Sequence, residues 1–340
     1  MKRIRFARTE LMVSRIAFGG IPIMRLNKND AASLARESIN MGINFIDTAH
    51  VYTDSEEKIG QAIKGMKRDD LVIATKSPAD DKKIFLEHVD LSLKRLGTDY
   101  IDIYQFHGIS SQARRGAVFA EGGAMEGMNE AVKAGKIRFA AFSSHSLPVA
   151  IDLIKTNLFA SAQLPFNYID SAASDEAIAL AKELDIGFIA MKPMGGGLLD
   201  DAGLAFRYLL SFDSIVPDPG IEKIEEIKEI IAIAEKNEAL SDNDKNEIEK
   251  QRKEFGSSWC HRCDYCQPCP QGIAISSALC VKSAFKRMPV SRAHSFVGPA
   301  IDKAKTCTEC RQCVSRCPYD LDIPAILKEQ IKLYETMPRE

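Results

Sequence analysis

All nine cysteines of this 340-residue chain fall between Cys260 and Cys317. Eight of them form two runs, Cys260-x2-Cys263-x2-Cys266-x2-Cys269-Pro270 and Cys307-x2-Cys310-x2-Cys313-x3-Cys317-Pro318. Nothing sends the chain to an oxidising compartment, so a disulfide framework explains them poorly. Thiolates at these intervals are metal ligands. The second run has the spacing in which three close thiolates hold one [4Fe–4S] cluster and the fourth crosses to another. The first run is the same with one residue fewer before its last cysteine. Eight thiolates make two sites of four. Two zinc sites are the competing reading, although zinc ribbons pair two Cys-x2-Cys knuckles and have no need of a Cys-Pro after a third close thiolate. Cys280 is left over and is expected to pack as a small hydrophobe.

A second set of reactive types lies in the cysteine-free body. The stretches Phe45-Ile46-Asp47-Thr48-Ala49-His50-Val51-Tyr52, Ala74-Thr75-Lys76 and Gln105-Phe106-His107 each carry polar groups where an apolar run ends. Singly, each group has a plain explanation: a lysine paired with some carboxylate, a structural histidine, an aspartate capping the next turn. Together they form an acid–base set. A phenol with an ordinary pKa of about 10 is a weak acid, and a neighbouring ammonium favours its phenolate. A carboxylate holds the lysine charged and oriented. An imidazole facing the same space can hydrogen-bond a carbonyl oxygen as negative charge builds on it. The reaction that suits this set is carbonyl reduction, with hydride arriving on carbon and Tyr52 protonating oxygen.

These groups must be positioned by repeated units. Short apolar runs at Arg15–Phe18, Asn44–Ile46, Leu71–Thr75, Tyr100–Phe106, Lys136–Phe142, Ala160–Leu164, Gly187–Met191 and Ser214–Val216 read as strands. Helical patterns lie between them, among them Glu56–Ile63, Ile84–Leu96, Met125–Ala134, Pro148–Lys155, Asp175–Leu184 and Leu204–Leu210. Eight strand–helix units predict an α/β fold, a closed (β/α)8 TIM barrel, with chemistry at the C-terminal ends of its strands. An open doubly wound sheet is the alternative, but no Gly-x-Gly-x-x-Gly follows the first strand. The expected domains are the barrel over residues 1–240, a charged linking helix over 241–255 and a small, mainly helical iron–sulfur domain over 256–340.

The segments FIDTAHVYTDSEEKIG, VIATK and IDIYQFHG resemble those of the aldo-keto reductases, a barrel family that uses nicotinamide cofactors. The likeness continues in order through GKIRFAAFSSHS, SAQLPFNYID, IAMKPMGGGLL and VPDPG. It implies that Asp47, Tyr52, Lys76 and His107 are catalytic, with Tyr52 the general acid. It places Ser143 and Gln163 on the nicotinamide carboxamide and Met191 against the ring. Pro193 and the Gly195–Gly197 loop would pass under the pyrophosphate, with Gly20, Asp47 and Gly220 also on the cofactor. The family commonly grips the 2′-phosphate of NADPH with basic residues after the last strand. Here that segment is Pro219-Gly220-Ile221-Glu222-Lys223-Ile224-Glu225-Glu226, so NAD(H) is expected over NADP(H). The tail resembles a two-cluster ferredoxin domain of the helical type. Its crossing rule puts Cys260, Cys263, Cys266 and Cys317 on one cluster, and Cys307, Cys310, Cys313 and Cys269 on the other.

Composition narrows the partners. Lys and Arg number 45 against 47 Asp and Glu, which argues against a nucleic-acid surface, and no apolar run is long enough to span a membrane. A cytoplasmic oxidoreductase acting on a small carbonyl or alcohol is expected, with a ferredoxin-like or flavin redox partner. The basic insert between the cysteine runs (Lys282, Lys286, Arg287, Arg292, Lys303, Lys305) either compensates anionic clusters or docks that partner. A nicotinamide moves two electrons as a hydride, whereas a cluster moves one, and no flavin signature is present to mediate. Two other readings therefore stay open: an electron-transfer protein whose barrel is mainly scaffold, and a reductase with purely structural or sensing clusters. Arg114 and Arg115, after His107, either clamp a substrate anion or are solvated loop residues.

Overall fold

The computed structural model describes residues 1–174, 176–256 and 258–339. The chain divides into two compact units, Met1–Met194 with Leu199–Leu240, and Gly195–Leu198 with Ser241–Glu340.

The first unit opens with a hairpin that the sequence pattern did not suggest, β1 (Arg3–Arg5) antiparallel to β2 (Met12–Ser14). Eight parallel strands follow: β3 (Phe18–Gly19), β4 (Phe45–Asp47), β5 (Val72–Ser77), β6 (Ile101–Phe106), β7 (Ile137–Ser143), β8 (Ser161–Pro165), β9 (Gly187–Met191) and β10 (Ile215–Asp218). They pair in chain order. A parallel bridge from Gly19 to Gly220 joins the first to the segment after the last, with Gly19 N–H donating to the Pro219 carbonyl at 2.8 Å. The sheet is a closed (β/α)8 barrel. Each strand is followed by a helix, Lys28–Asn40 after β3 through Ile224–Lys236 after β10. The helix expected from Asp175 runs Ala177–Glu183, and Asp175 itself lies outside the described residues. After β6 there is an additional helix, Gln112–Phe119, capped by the Ser111 hydroxyl.

The barrel interior explains where polar groups go. Phe45, Val72, Ala74, Ile103, Ala141, Ile189 and Val216 form one buried cluster with Phe6, Leu11 and Val13 of the hairpin segment. Phe6 meets Phe45 edge to face at 5.4 Å, and a Cβ on Gly187 would come within 2.4 Å of the Phe6 ring. The hairpin segment therefore plugs the N-terminal end of the barrel, and Gly187 makes room for it. Side chains alternate faces along a strand. Two residues on from the inward apolar set come Asp47, Lys76, Gln105, Ser143 and Asp218, with Met191 the apolar exception, so the face that is apolar below is mainly polar at the C-terminal rim.

The second unit is helical, with helices Asp242–Phe255, Ile275–Ala278, Val281–Arg287, Val290–Ala304, Gln312–Ser315 and Ile323–Glu335. Its core is Ile273, Ile275, Val281, Val297, Ile301 and Leu327 with small residues between them. Cys280 belongs to that core, and its Sγ lies 2.9 Å from the Ser276 carbonyl oxygen. Among the described residues, no helix is long and apolar enough to cross a membrane.

Candidate active site and cluster sites

Register brings the rim residues side by side. Lys76 of β5 pairs with Gln105 of β6, Ser143 of β7 with Gln163 of β8, and Met191 of β9 with Asp218 of β10. Lys76 Nζ donates to Asp47 Oδ2 at 2.5 Å and to the Thr48 carbonyl at 2.6 Å. Both charged side chains are about 3% exposed. Burial pulls the Lys76 ammonium down, but Asp47, Tyr52 and Asp218 outweigh it and leave its pKa raised. Gln105 Nε2 donates to Asp47 Oδ1 at 3.2 Å and orients the carboxylate from a third strand.

Tyr52 sits in the turn between β4 and the helix Ser55–Ile63, its N–H bonded to the Ala49 carbonyl. Lys76 Nζ is 5.3 Å from the centre of its ring, and the His107 ring stands edge-on to it at 5.8 Å. Burial, then the charges of Lys76 and Arg114, push His107 down to about 3, so this imidazole is neutral at neutral pH. The other imidazole of the Tyr52 segment, His50, stacks on His88 at 3.8 Å. The structure thus collects Asp47, Tyr52, Lys76 and His107 at one rim.

Of the residues expected on a cofactor, Gly20 donates its N–H to the Asp47 carbonyl at 2.7 Å. Ser143 Oγ accepts from Gly108 N–H at 2.9 Å. Gln163 Nε2 reaches Asp218 Oδ2 at 3.0 Å and Asp47 Oδ2 at 3.4 Å. Its Oε1 is buried with no hydrogen-bond partner among the described residues, an acceptor of the kind a carboxamide NH2 would fill. This open acceptor at the rim therefore fits a nicotinamide carboxamide. Met191 ends β9, with Pro193 just beyond it, and Gly220 lies in the segment after β10, whereas Gly195 and Gly197 group with the second unit. Sequence reasoning missed Gln105 and Asp218 as parts of the site. The period-two continuation from Ile103 and Val216 was the signal that marks them.

Arg114 is not a free clamp. Its guanidinium donates to the carbonyls of His107, Gly108 and Pro78, and to Asp80 Oδ1 at 3.0 Å. Among the described residues, the Arg115 guanidinium reaches only Gln112 and, at 3.9 Å, Asp152.

In the second unit the eight cysteines line two cavities. One is lined by Cys260, Cys263, Cys266 and Cys317. The other is lined by Cys269, Cys307, Cys310 and Cys313. Each therefore takes three thiols from one run and the last thiol of the other. Among the described residues no three His, Cys, Asp or Glu groups are placed to hold a single metal ion; the thiols surround a space instead. The two runs also share a backbone device. The residues flanking the second cysteine of each are left-handed, Arg262 and Asp264 in one and Glu309 and Arg311 in the other, with φ between 54° and 60°. Such turns aim successive N–H groups inward, and backbone N–H groups do reach Cys260, Cys263, Cys266 and Cys313. Burial nevertheless pushes the Cys260 and Cys266 thiols up to about 12, so iron must supply the charge that makes them thiolates. Four thiols around a cavity with N–H donors at sulfur fit a [4Fe–4S] cluster.

The description of the aldo/keto reductase family matches residues 15–204. The chain belongs to that family. A 4Fe-4S dicluster domain matches residues 259–322. An uncharacterised oxidoreductase of Bacillus subtilis, YqkF, is 30% identical over 218 residues, which are 60% of this chain and 68% of the relative. The NADH-specific methylglyoxal reductase of Escherichia coli is 28% identical over 228 residues, 58% of this chain and 69% of that enzyme. These matches span about two thirds of the relatives' length. Among solved structures, the holo form of aldo-keto reductase AKR11C1 from Bacillus halodurans superposes with a TM-score of 0.63 at 24% identity, covering 74% of this chain and 96% of that one, and shares the fold. This aldo-keto reductase is thus an oxidoreductase that carries a dicluster iron–sulfur domain.

Proposed function

We propose that this aldo-keto reductase interconverts small carbonyls and alcohols with a nicotinamide cofactor, NADH in preference to NADPH, and that its two [4Fe–4S] clusters exchange electrons with, or dock, a redox partner. The observation that carries the reading is the buried Lys76–Asp47 ion pair beside the Tyr52 ring, with His107 edge-on to that ring. When bound, the reduced nicotinamide supplies a hydride and each cluster a single electron. Tyr52 gives its hydroxyl proton to the carbonyl oxygen as negative charge gathers there. Lys76 stabilises the phenolate left behind, and Asp47 keeps Lys76 charged and aimed. His107, neutral, hydrogen-bonds the same oxygen without competing for the proton. Gln163 and Ser143 hold the carboxamide, with Gly20, Met191, Pro193 and Gly220 along the cofactor.

The acidic turn after β10 supports NADH. Lys223 is the sole basic residue among Pro219–Glu226, and Glu222 of the same turn lies 3.4 Å from Arg25. The name of the Escherichia coli relative points the same way. The test is anaerobic NADH oxidation with methylglyoxal as the first carbonyl. Tyr52→Phe should lower the carbonyl-dependent rate by about 10²–10⁴-fold; an unchanged rate removes Tyr52 as the acid. In the same assay, tighter binding of NADPH would overturn the cofactor preference, and bleaching of the cluster absorption before carbonyl is added would show electrons passing from nicotinamide to iron.

A further inference from the structure

The barrel rim holds one more buried carboxyl than this acid–base chemistry uses. Asp218 ends β10 and is 8% exposed. The amide nitrogen of Gln163 lies 3.0 Å from Asp218 Oδ2 and 3.4 Å from Asp47 Oδ2, so one NH2 group spans the two carboxyls. Lys76 Nζ, the cation of the set, is spent on Asp47 and the Thr48 carbonyl. Asp218 Oδ1 is buried and has no hydrogen-bond partner among the described residues. Room for this second carboxyl comes from Gly19 on β3, where a Cβ would stand 2.9 Å from Asp218 Oδ1.

The charges do not balance if both carboxyls ionise. Among the described residues, the charged groups facing Asp218 are Asp47 on β4 and Lys76 on β5, and its hydrogen-bond partner on β8 is the neutral Gln163 amide. One ammonium cannot neutralise two carboxylates, and an uncompensated charge in so dry a place is costly. Burial first, then the nearness of Asp47, push the Asp218 carboxyl well above the ordinary carboxylate range, only partly offset by Lys76. Asp47 holds the ammonium directly, so the proton belongs on Asp218.

We propose that Asp218 is a positioning residue that stays a neutral carboxylic acid in the working enzyme, leaving a single carboxylate opposite Lys76 so that the ammonium can stabilise a Tyr52 phenolate. This rests on the assignment of Tyr52 as general acid. When Tyr52 gives up its proton, a negative charge appears at its oxygen beside Lys76, while loss of the hydride leaves the matching positive charge on the donor. What Asp218 sets is the field at Lys76. With Asp218 neutral, Asp47 alone opposes the ammonium, and with Asp218 ionised a second carboxylate draws on it as well. Reduction should therefore slow on the alkaline side as Asp218 ionises.

The test is the pH profile of kcat/KM for carbonyl reduction, in wild type and Asp218→Asn, whose amide is uncharged at every pH. The alkaline limb should move upward by about one pH unit or more in the variant. Two readouts need no turnover. The infrared spectrum of the wild type at pH 7 should contain a protonated-carboxyl absorption that Asp218→Asn lacks and Tyr52→Phe keeps. In melting experiments the folded protein resists ionising Asp218, so wild-type stability falls as pH rises from the unfolded value of about 3.9 through the raised folded value. The variant should then melt above wild type at alkaline pH and level with it below about pH 4. Should the variant fail to fold, infrared titration of the wild type alone decides, since a neutral Asp218 requires an acid absorption that persists well above pH 5. An unshifted alkaline limb, or a wild type without that absorption, overturns the proposal. Failure of the Tyr52 assignment looks different: Tyr52→Phe would turn over like wild type while the infrared and melting differences at Asp218 remained.

Discussion

In the barrel, Asp47, Lys76, Gln105, Gln163 and Asp218 come from five strands spread from residue 47 to residue 218, and protein atoms alone tie them together. In the tail, each four-thiol set comes from two short runs, and its members surround a cavity without bonding to one another. The rim has its cation built in. The cysteine cavities do not: burial pushes the Cys260 and Cys266 thiols up to about 12, and the positive charge that makes them thiolates comes with the metal they bind. The barrel site is therefore pre-organised by folding, whereas the tail sites are completed by what they bind.

The largest effect expected from this contrast is on iron content. If each cavity is one cluster site, Cys263→Ser and Cys317→Ser damage the same cluster although they lie in different runs. Each single variant, and equally the double variant, should lose about half of the bound iron and labile sulfide. A double variant that loses both clusters would assign each run its own cluster and break the crossed arrangement.

At the rim, Lys76→Met removes the cation and leaves Asp47 buried beside Asp218. Breaking a buried pair in this way costs about 3–5 kcal/mol, read as a lower melting midpoint of the barrel with cluster absorption unchanged. A loss under about 1 kcal/mol would mean that water compensates the rim, as at an exposed pair, and that its electrostatics are not pre-organised. A smaller effect is expected at Arg114, whose guanidinium holds the His107 and Gly108 carbonyls. Arg114→Ala should lower kcat more than it raises KM, by about tenfold, because it loosens the imidazole and removes no substrate contact. A change in KM alone would return Arg114 to the role of substrate clamp.

Much of this was legible in the residues. The strands at Gly187–Met191 and near Phe45, Val72 and Ile101 follow from apolar runs that are buried on both faces in a parallel barrel. Asp47, Lys76 and His107 were visible because each ends such a run. Asp218 was hidden inside Val-Pro-Asp-Pro-Gly, where two prolines and a glycine read as a turn, and only the inward parity of Val216 marks it as a rim residue. The hairpin was missed because three-residue strands carry too little periodicity to register.

The sequence by itself determined the thiolate spacing and the order of the strand–helix units, because both are properties of neighbours along the chain. Tertiary structure decided the rest. It selected which cysteines share a cavity, turned ordinary residues such as Arg262 and Glu309 into left-handed corners, and set a second carboxyl beside Lys76. Those outcomes depend on closing a sheet and folding one run against another. Distances between residues far apart in the chain, and the desolvation that follows, are set only when that closure is complete.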